Sequence, residues 1–162
     1  MTETLVFFSI GGNLGDRLAL IEETRDFIDF NIGDIVLQSS IYETAAWGMT
    51  PETPSFYNQV LGVRTELTLA QIKQEIFEID EYYGRVRKGN GYENREMDVD
   101  VLFYKNECHE EPLMVPHPKI QDRAFILIPL NEIAPDWIHP QLNQTIQSLC
   151  KACKDEGSIK KI

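Results

Sequence analysis

Two kinds of residue suited to phosphate chemistry stand close together between Gly84 and Tyr104. Arg85, Arg87, Lys88 and Arg95 are cationic, and Glu93 is the one acidic residue between 85 and 95, a local charge of +3 in a chain of net charge -11. Asp98-Val99-Asp100 follows, leading into Val101, Leu102 and Phe103. Met97, Val99, Val101 and Phe103 alternate with the two aspartates, which predicts a strand over 98–104. Residues two apart on a strand share a face, so the carboxylates start roughly 6.6 Å apart at the backbone and can converge. Asp is disfavoured in strands, and two like charges on one face repel. A hard cation between them removes that penalty. Arginine forks suit phosphate oxygens, and paired carboxylates suit the metal that travels with a polyphosphate. Alone, a D-x-D strand is usually a solvated face and an Arg/Lys loop is usually surface. Their combination in an acidic chain points to a nucleotide-phosphate site.

The elements that must hold this stretch can be read from spacing. Leu5 to Ile10 is a short apolar run ending at Gly11-Gly12, a strand expected to be buried. Gly11, Gly12 and Gly15 around Asn13 form a tight connection, read as geometric because no Gly-Lys-Ser/Thr follows to complete a Walker A loop. Asp16 caps an expected helix running to about Phe30, with Leu18, Ile21 and Ile28 on its buried side. Ile35 to Tyr42 reads as a second strand. Thr44 to Ser55, with Gly48, Pro51 and Pro54, is a long loop of the kind that serves as a lid. Phe56 to Thr65 is a third strand. Thr68 and Gln71 make a capping box, and Leu69, Ile72, Ile76 and Ile79 carry a helix to Tyr82, with Gly84 suited to its C-terminal turn. The order strand, helix, strand, strand, helix, strand is the ferredoxin-like βαββαβ plan, an antiparallel sheet with both helices on one face. Beyond Cys108 six prolines leave an irregular C-terminal extension. It contains a short helix over Arg123 to Leu130, a terminal helix over Asn143 to Lys154, and a frayed polar end.

Composition bounds the rest. The 162 residues, 43% hydrophobic and 25% charged, fit one soluble domain spanning 1–162. An acidic chain lacks the broad basic face that nucleic acid or an anionic membrane requires, so a bound anion needs a dedicated site. No apolar run is long enough for a membrane span, and the N-terminus lacks a signal-peptide pattern. Cys108, Cys150 and Cys153 are an odd number. The lone C-x-x-C has neither a second pair for zinc nor a thioredoxin context, and is read as two reduced thiols a turn apart on the last helix, favouring a cytoplasmic location.

With these pieces laid out, the sequence resembles the 6-hydroxymethyl-7,8-dihydropterin pyrophosphokinase family of folate biosynthesis. The resemblance rests on Ile10-Gly11-Gly12-Asn13-Leu14-Gly15, Thr44, Tyr57-Asn58, Gly84-Arg85-Val86-Arg87 and Arg95-Glu96-Met97-Asp98-Val99-Asp100. It continues through Val115-Pro116-His117-Pro118, Arg123-Ala124-Phe125, Pro129-Leu130 and Glu132-Ile133-Ala134-Pro135. It implies pyrophosphoryl transfer from ATP to the pterin hydroxymethyl group, with release of AMP. Asp98 and Asp100 would hold two Mg²⁺ ions, and Arg85 and Arg95 would stabilise charge on the phosphates. Arg87 would draw its loop over the substrates, while His117 and Arg123 would line the nucleotide side. Phe56 and Phe125 would stack on the pterin, with Asn58, Thr44 and Trp47 at its edge. Alone, Phe56 and Phe125 read as core aromatics, Asn58 as a satisfied buried amide and His117 as a loop residue. Registration with the family pattern is what raises them. Phe56 and Tyr92 stand where tyrosine and tryptophan are usual, Ala45 and Ala46 where proline is common, and Asp80 where glutamate is usual. The expected partners are two small molecules, with no nucleic acid and no membrane, in a monomer or weak homodimer.

Two other classes fit the topology less well. An RNA-recognition domain would present aromatics and a basic sheet where Asp98 and Asp100 stand. A kinase moving a terminal phosphoryl group would be expected to carry one of the familiar kinase signatures, and none is present.

Overall fold

The computed structural model describes residues 4–45, 53–84, 96–155 and 157–162. Their order is β1 (Thr4–Gly12), α1 (Arg17–Asn31), β2 (Asp34–Gln38), β3 (Tyr42–Thr44), β4 (Phe56–Thr65), α2 (Leu69–Tyr82), β5 (Asp98–Tyr104), α3 (Ala124–Ile133), α4 (Ile146–Ala152) and β6 (Ile159–Lys161). The strands form one antiparallel sheet ordered β5-β1-β4-β3-β6, with β2 pairing a further length of β4. With β2 and β3 counted as halves of one strand, the ferredoxin-like arrangement expected from the sequence is present, its first and third strands central.

β1 and β4 are apolar almost throughout because both faces of the sheet are covered. Val6, Phe8, Ile10, Leu61 and Val63 join Ile21 and Ile28 of α1 and Ile72, Ile76 and Ile79 of α2 in one core. Phe7, Val60, Leu102 and Phe103 join Ile126, Leu127 and Leu130 of α3 and Ile146 and Leu149 of α4 in the other. α1 and α2 therefore share one face as expected. The C-terminal region, read as irregular, supplies the helices that cover the opposite face.

Local signals hold where they are local. Asp16 Oδ1 accepts from Ala19 N at 3.2 Å, Thr68 and Gln71 form the reciprocal capping box, and Gly84 takes the left-handed conformation (φ 66°) after α2. Long-range packing overrides four other expectations. Leu18 is 47% exposed, since it precedes the stripe that α1 turns to the sheet. The second strand breaks at Ser39-Ser40-Ile41, where Ser39 binds Val60 through its main chain and side chain together. Phe103 does not share a face with Val99 and Val101. A bulge pairs Phe7 with Phe103 and Phe8 with Val101, so the period-two pattern slips at Leu102. The terminal helix is only Ile146–Ala152, with Cys153 as its C-cap outside the helix, and the polar end is strand β6, paired to β3. All three cysteines are free thiols. No helix among the described residues is long and apolar enough to cross a membrane.

Candidate active site

The sheet register places the site residues in rows. Asp98 on β5 pairs with Gly11 on β1, Gly11 with Asn58 on β4, and Asn58 with Tyr42 on β3. Two residues along in one direction Asp100 pairs with Ser9, and two residues along in the other Thr44 pairs with Phe56. Strands lie about 4.8 Å apart, so Asp98 and Asn58 stand about 10 Å apart across a floor made by Gly11. That floor has to be glycine, because a Cβ there would collide with Asn58 Oδ1 and the Tyr57 carbonyl. Val99 and Val101 point to the α1/α2 core, which leaves Asp98 and Asp100 on the opposite face. This agrees with the shared face inferred from their spacing.

Over this floor lies a cleft lined by Thr44, Phe56, Asn58, Asp98, Asp100, Arg123 and Phe125. Every predicted site residue within the described segments lines it except His117. Asn58 is buried, and its side-chain amide donates to Thr44 Oγ1 at 3.0 Å. Phe56 is buried at one side, and Phe125 stands half-buried near the start of α3. The Arg123 guanidinium carbon lies 5.5 Å from the Phe125 ring centroid, within cation–π range. The approach to Phe56 is held from below. Arg17 donates to Ser55 O at 2.8 Å and Ser55 Oγ at 2.9 Å while stacking 3.8 Å above the Tyr57 ring.

His117 sits beside the cleft rather than in its lining. Its backbone N–H donates to Leu102 O at 2.9 Å and its Nδ1 accepts from Lys119 N at 3.1 Å, an arrangement that requires an unprotonated Nδ1. Burial, then the charges of Arg123 and Lys119, press its pKa down to about 4 against the opposing pull of Asp98. It is a neutral imidazole within electrostatic range of both the carboxylate and the cation side. Arg85, Arg87, Arg95 and Trp47 lie outside the described residues, as do Tyr92, Ala46, most of the expected lid over Thr44 to Ser55 and the loop that carries Arg87.

Sequence reasoning missed Ser9, Asp122 and the tail residues Asp155, Gly157, Ser158 and Ile159, all of which line the cleft. Ser9 had a signal: it interrupts the apolar run of β1 on the face that carries Gly11. The tail had none, because its place depends on pairing with β3.

The family of 7,8-dihydro-6-hydroxymethylpterin-pyrophosphokinases matches residues 7–135, which carry every site residue expected from the sequence and stop short of the tail. A 2-amino-4-hydroxy-6-hydroxymethyldihydropteridine pyrophosphokinase of Porphyromonas gingivalis is 34% identical over 141 residues, covering 85% of this chain and 95% of that protein. The protein of the same description from Aquifex aeolicus is 32% identical over 160 residues, 96% of this chain and 93% of its own length. Among solved structures, wild-type Plasmodium falciparum HPPK-DHPS with pteroate superposes with a TM-score of 0.74 at 16% identity. That superposition covers 93% of this chain but 42% of the longer Plasmodium chain, and it bears on the fold. With the ferredoxin-like sheet, the paired aspartates and a match across most of its length, the chain belongs to the 7,8-dihydro-6-hydroxymethylpterin-pyrophosphokinase family.

Proposed function

We infer that the chain performs its family's reaction, transfer of the pyrophosphoryl group of ATP to the hydroxymethyl group of 6-hydroxymethyl-7,8-dihydropterin. The observation that carries this is the single cleft that joins an aspartate pair at one end to two phenylalanines and a buried amide at the other. One end suits a metal-bound triphosphate and the other a flat, polar heterocycle.

The donor chemistry fits Mg²⁺. The ion is commonly held by one or two carboxylates together with substrate phosphates, and Asp98 and Asp100 offer two hard carboxylates on one strand face. Bound there with ATP, two ions would neutralise phosphate charge and hold the triphosphate extended. The residues of the chain do the remainder. Phe56 and Phe125 sandwich the pterin, while Asn58 and Thr44, with Trp47 from the neighbouring loop, read its edge. Arg123 and neutral His117 border the nucleotide. Arg85 and Arg95 take up the charge that shifts toward the leaving group, and Arg87 helps to draw the loop across. The pterin hydroxyl oxygen forms a bond to the β-phosphorus as the bond from that phosphorus to the α–β bridging oxygen breaks. The hydroxyl proton goes to solvent and AMP departs.

Mixing the protein with ATP, Mg²⁺ and the pterin tests this directly. The expected products are AMP and pyrophosphorylated pterin in equal amounts. ADP as the main nucleotide product would refute pyrophosphoryl transfer, and no turnover would refute the enzyme reading.

A further inference from the structure

The wall of the cleft opposite β5 comes from the C-terminal tail, and one carboxylate ties that wall together. Arg123, the residue before α3, is extended and its side chain makes no capping hydrogen bond, so the helix has no local cap. Asp155, 31 residues beyond Ala124, replaces it: its Oδ2 accepts from Ala124 N at 3.0 Å. Ala124 lies between Arg123 and Phe125, so this bond holds the residue from which both cleft side chains depart. The other oxygen, Oδ1, accepts from Gly157 N at 2.9 Å and turns the chain toward β6. There Ile159 pairs with Thr44, the strand residue that also holds Asn58. Asp155, Gly157 and Ile159 themselves line the cleft. The helix side and the strand side of the site are thus spanned by a single side chain.

We propose that Asp155 is a positioning residue for pterin recognition, setting the start of α3 so that Phe125 enters the cleft that Phe56 also lines, with the pterin held between them. The carboxylate acts through two backbone N–H groups, and its negative charge at a helix N-terminus is favourable in itself. This rests on the functional reading above, because it concerns the pterin end of that same cleft.

The test measures pterin affinity in the presence of a non-hydrolysable ATP analogue, together with KM, kcat and melting temperature, in wild type, Asp155→Ala and Asp155→Asn. Asp155→Ala should raise the Kd and KM for pterin about tenfold while kcat at saturating pterin stays within about threefold, as expected for lost positioning of a binding group. Asp155→Asn keeps an oxygen acceptor for Ala124 N and should restore most of the affinity. A lower melting temperature in Asp155→Ala with unchanged pterin affinity would overturn the proposal, leaving only a structural cap. Equal losses in Ala and Asn variants would overturn it too, since an acceptor retained for Ala124 N would then do nothing for pterin binding. If Asp155→Ala does not fold, Asp155→Glu carries the same test, because the displaced acceptor should weaken pterin binding and unchanged affinity would refute the anchor. Failure of the wild type to bind pterin would remove the substrate reading, whereas an affected wild type–mutant comparison cannot arise from that failure.

Discussion

At the scale of single residues, what decides the chemistry is which side chains the pleat sends to the cleft. Asp98 and Asp100 were legible because period two is a property of the strand itself, and β5 is a strand between the limits its pattern predicts. Phe103 was misjudged because a bulge changes parity without a mark in the local sequence. Asn58 could be placed on its strand but not assigned a role from composition, since a satisfied buried amide and a ligand-reading amide carry the same local signal; Thr44 Oγ1 takes one of its donors. Asp100→Asn isolates the charge: it preserves shape and one acceptor while halving the paired carboxylates. Turnover at saturating Mg²⁺ should fall at least about a hundredfold, the equivalent of roughly 3 kcal/mol in the barrier, with the ligand-free melting temperature little changed. Near wild-type turnover would take the metal role away from this residue.

At the scale of elements, α3, which lines the cleft, is fastened to the β2–β3 break as well as to the tail. Glu132 near the end of α3 accepts from Ser40 N (2.9 Å), Ser40 Oγ (2.7 Å) and Tyr42 Oη (2.8 Å). Burial, followed by this bond to Glu132, pushes the Tyr42 phenol up to about 12, so it remains a donor at any ordinary pH. The same pin explains why one expected strand became two: Ser40 leaves the ladder to serve a helix far along the chain. Capping boxes and apolar spacing are local and made α2 legible from Leu69 to Tyr82. The Ser40–Glu132 pin and the Thr44–Ile159 pairing join distant residues, and no window of sequence contains them. Glu132→Ala should cost about 1–3 kcal/mol in chemical denaturation, because it strips the acceptor from several donors at once. Glu132→Gln, which keeps one acceptor oxygen, should cost less. An alanine variant as stable as wild type would show that the contacts contribute nothing net.

At the scale of the whole molecule, two described histidines held neutral make the folded chain sensitive to acid. His139 is 2% exposed, and its Nδ1 accepts from Gln141 N and Leu142 N, both at 3.2 Å, so protonation there would break the turn that leads toward α4. Burial drives its pKa below the usual 6.5, only partly offset by a backbone hydrogen bond, and burial likewise holds His117 at about 4. In both cases the unfolded chain binds more protons than the folded one below the unfolded pKa. Stability therefore rises with pH in that range: it is fully present above about 6.5 and is lost as pH falls through each folded value. Glu132 enters lower: burial raises its pKa, but the Ser40 and Tyr42 hydrogen bonds outweigh this and leave it below the usual 4.5, so its contribution is lost only in stronger acid. Between pH 6.5 and about 4 unfolding takes up as much as about one proton at His117, and His139 adds to this over the part of the window that lies above its own lowered value. Melting temperature should fall steadily across this window in wild type. In His139→Gln it should start lower at neutral pH, since Gln cannot reproduce the ring packed edge-on against Phe103, and then fall with a shallower slope. Parallel slopes for the two proteins would mean that His139 accepts its proton without unfolding, and that the Nδ1 contacts do not hold it neutral.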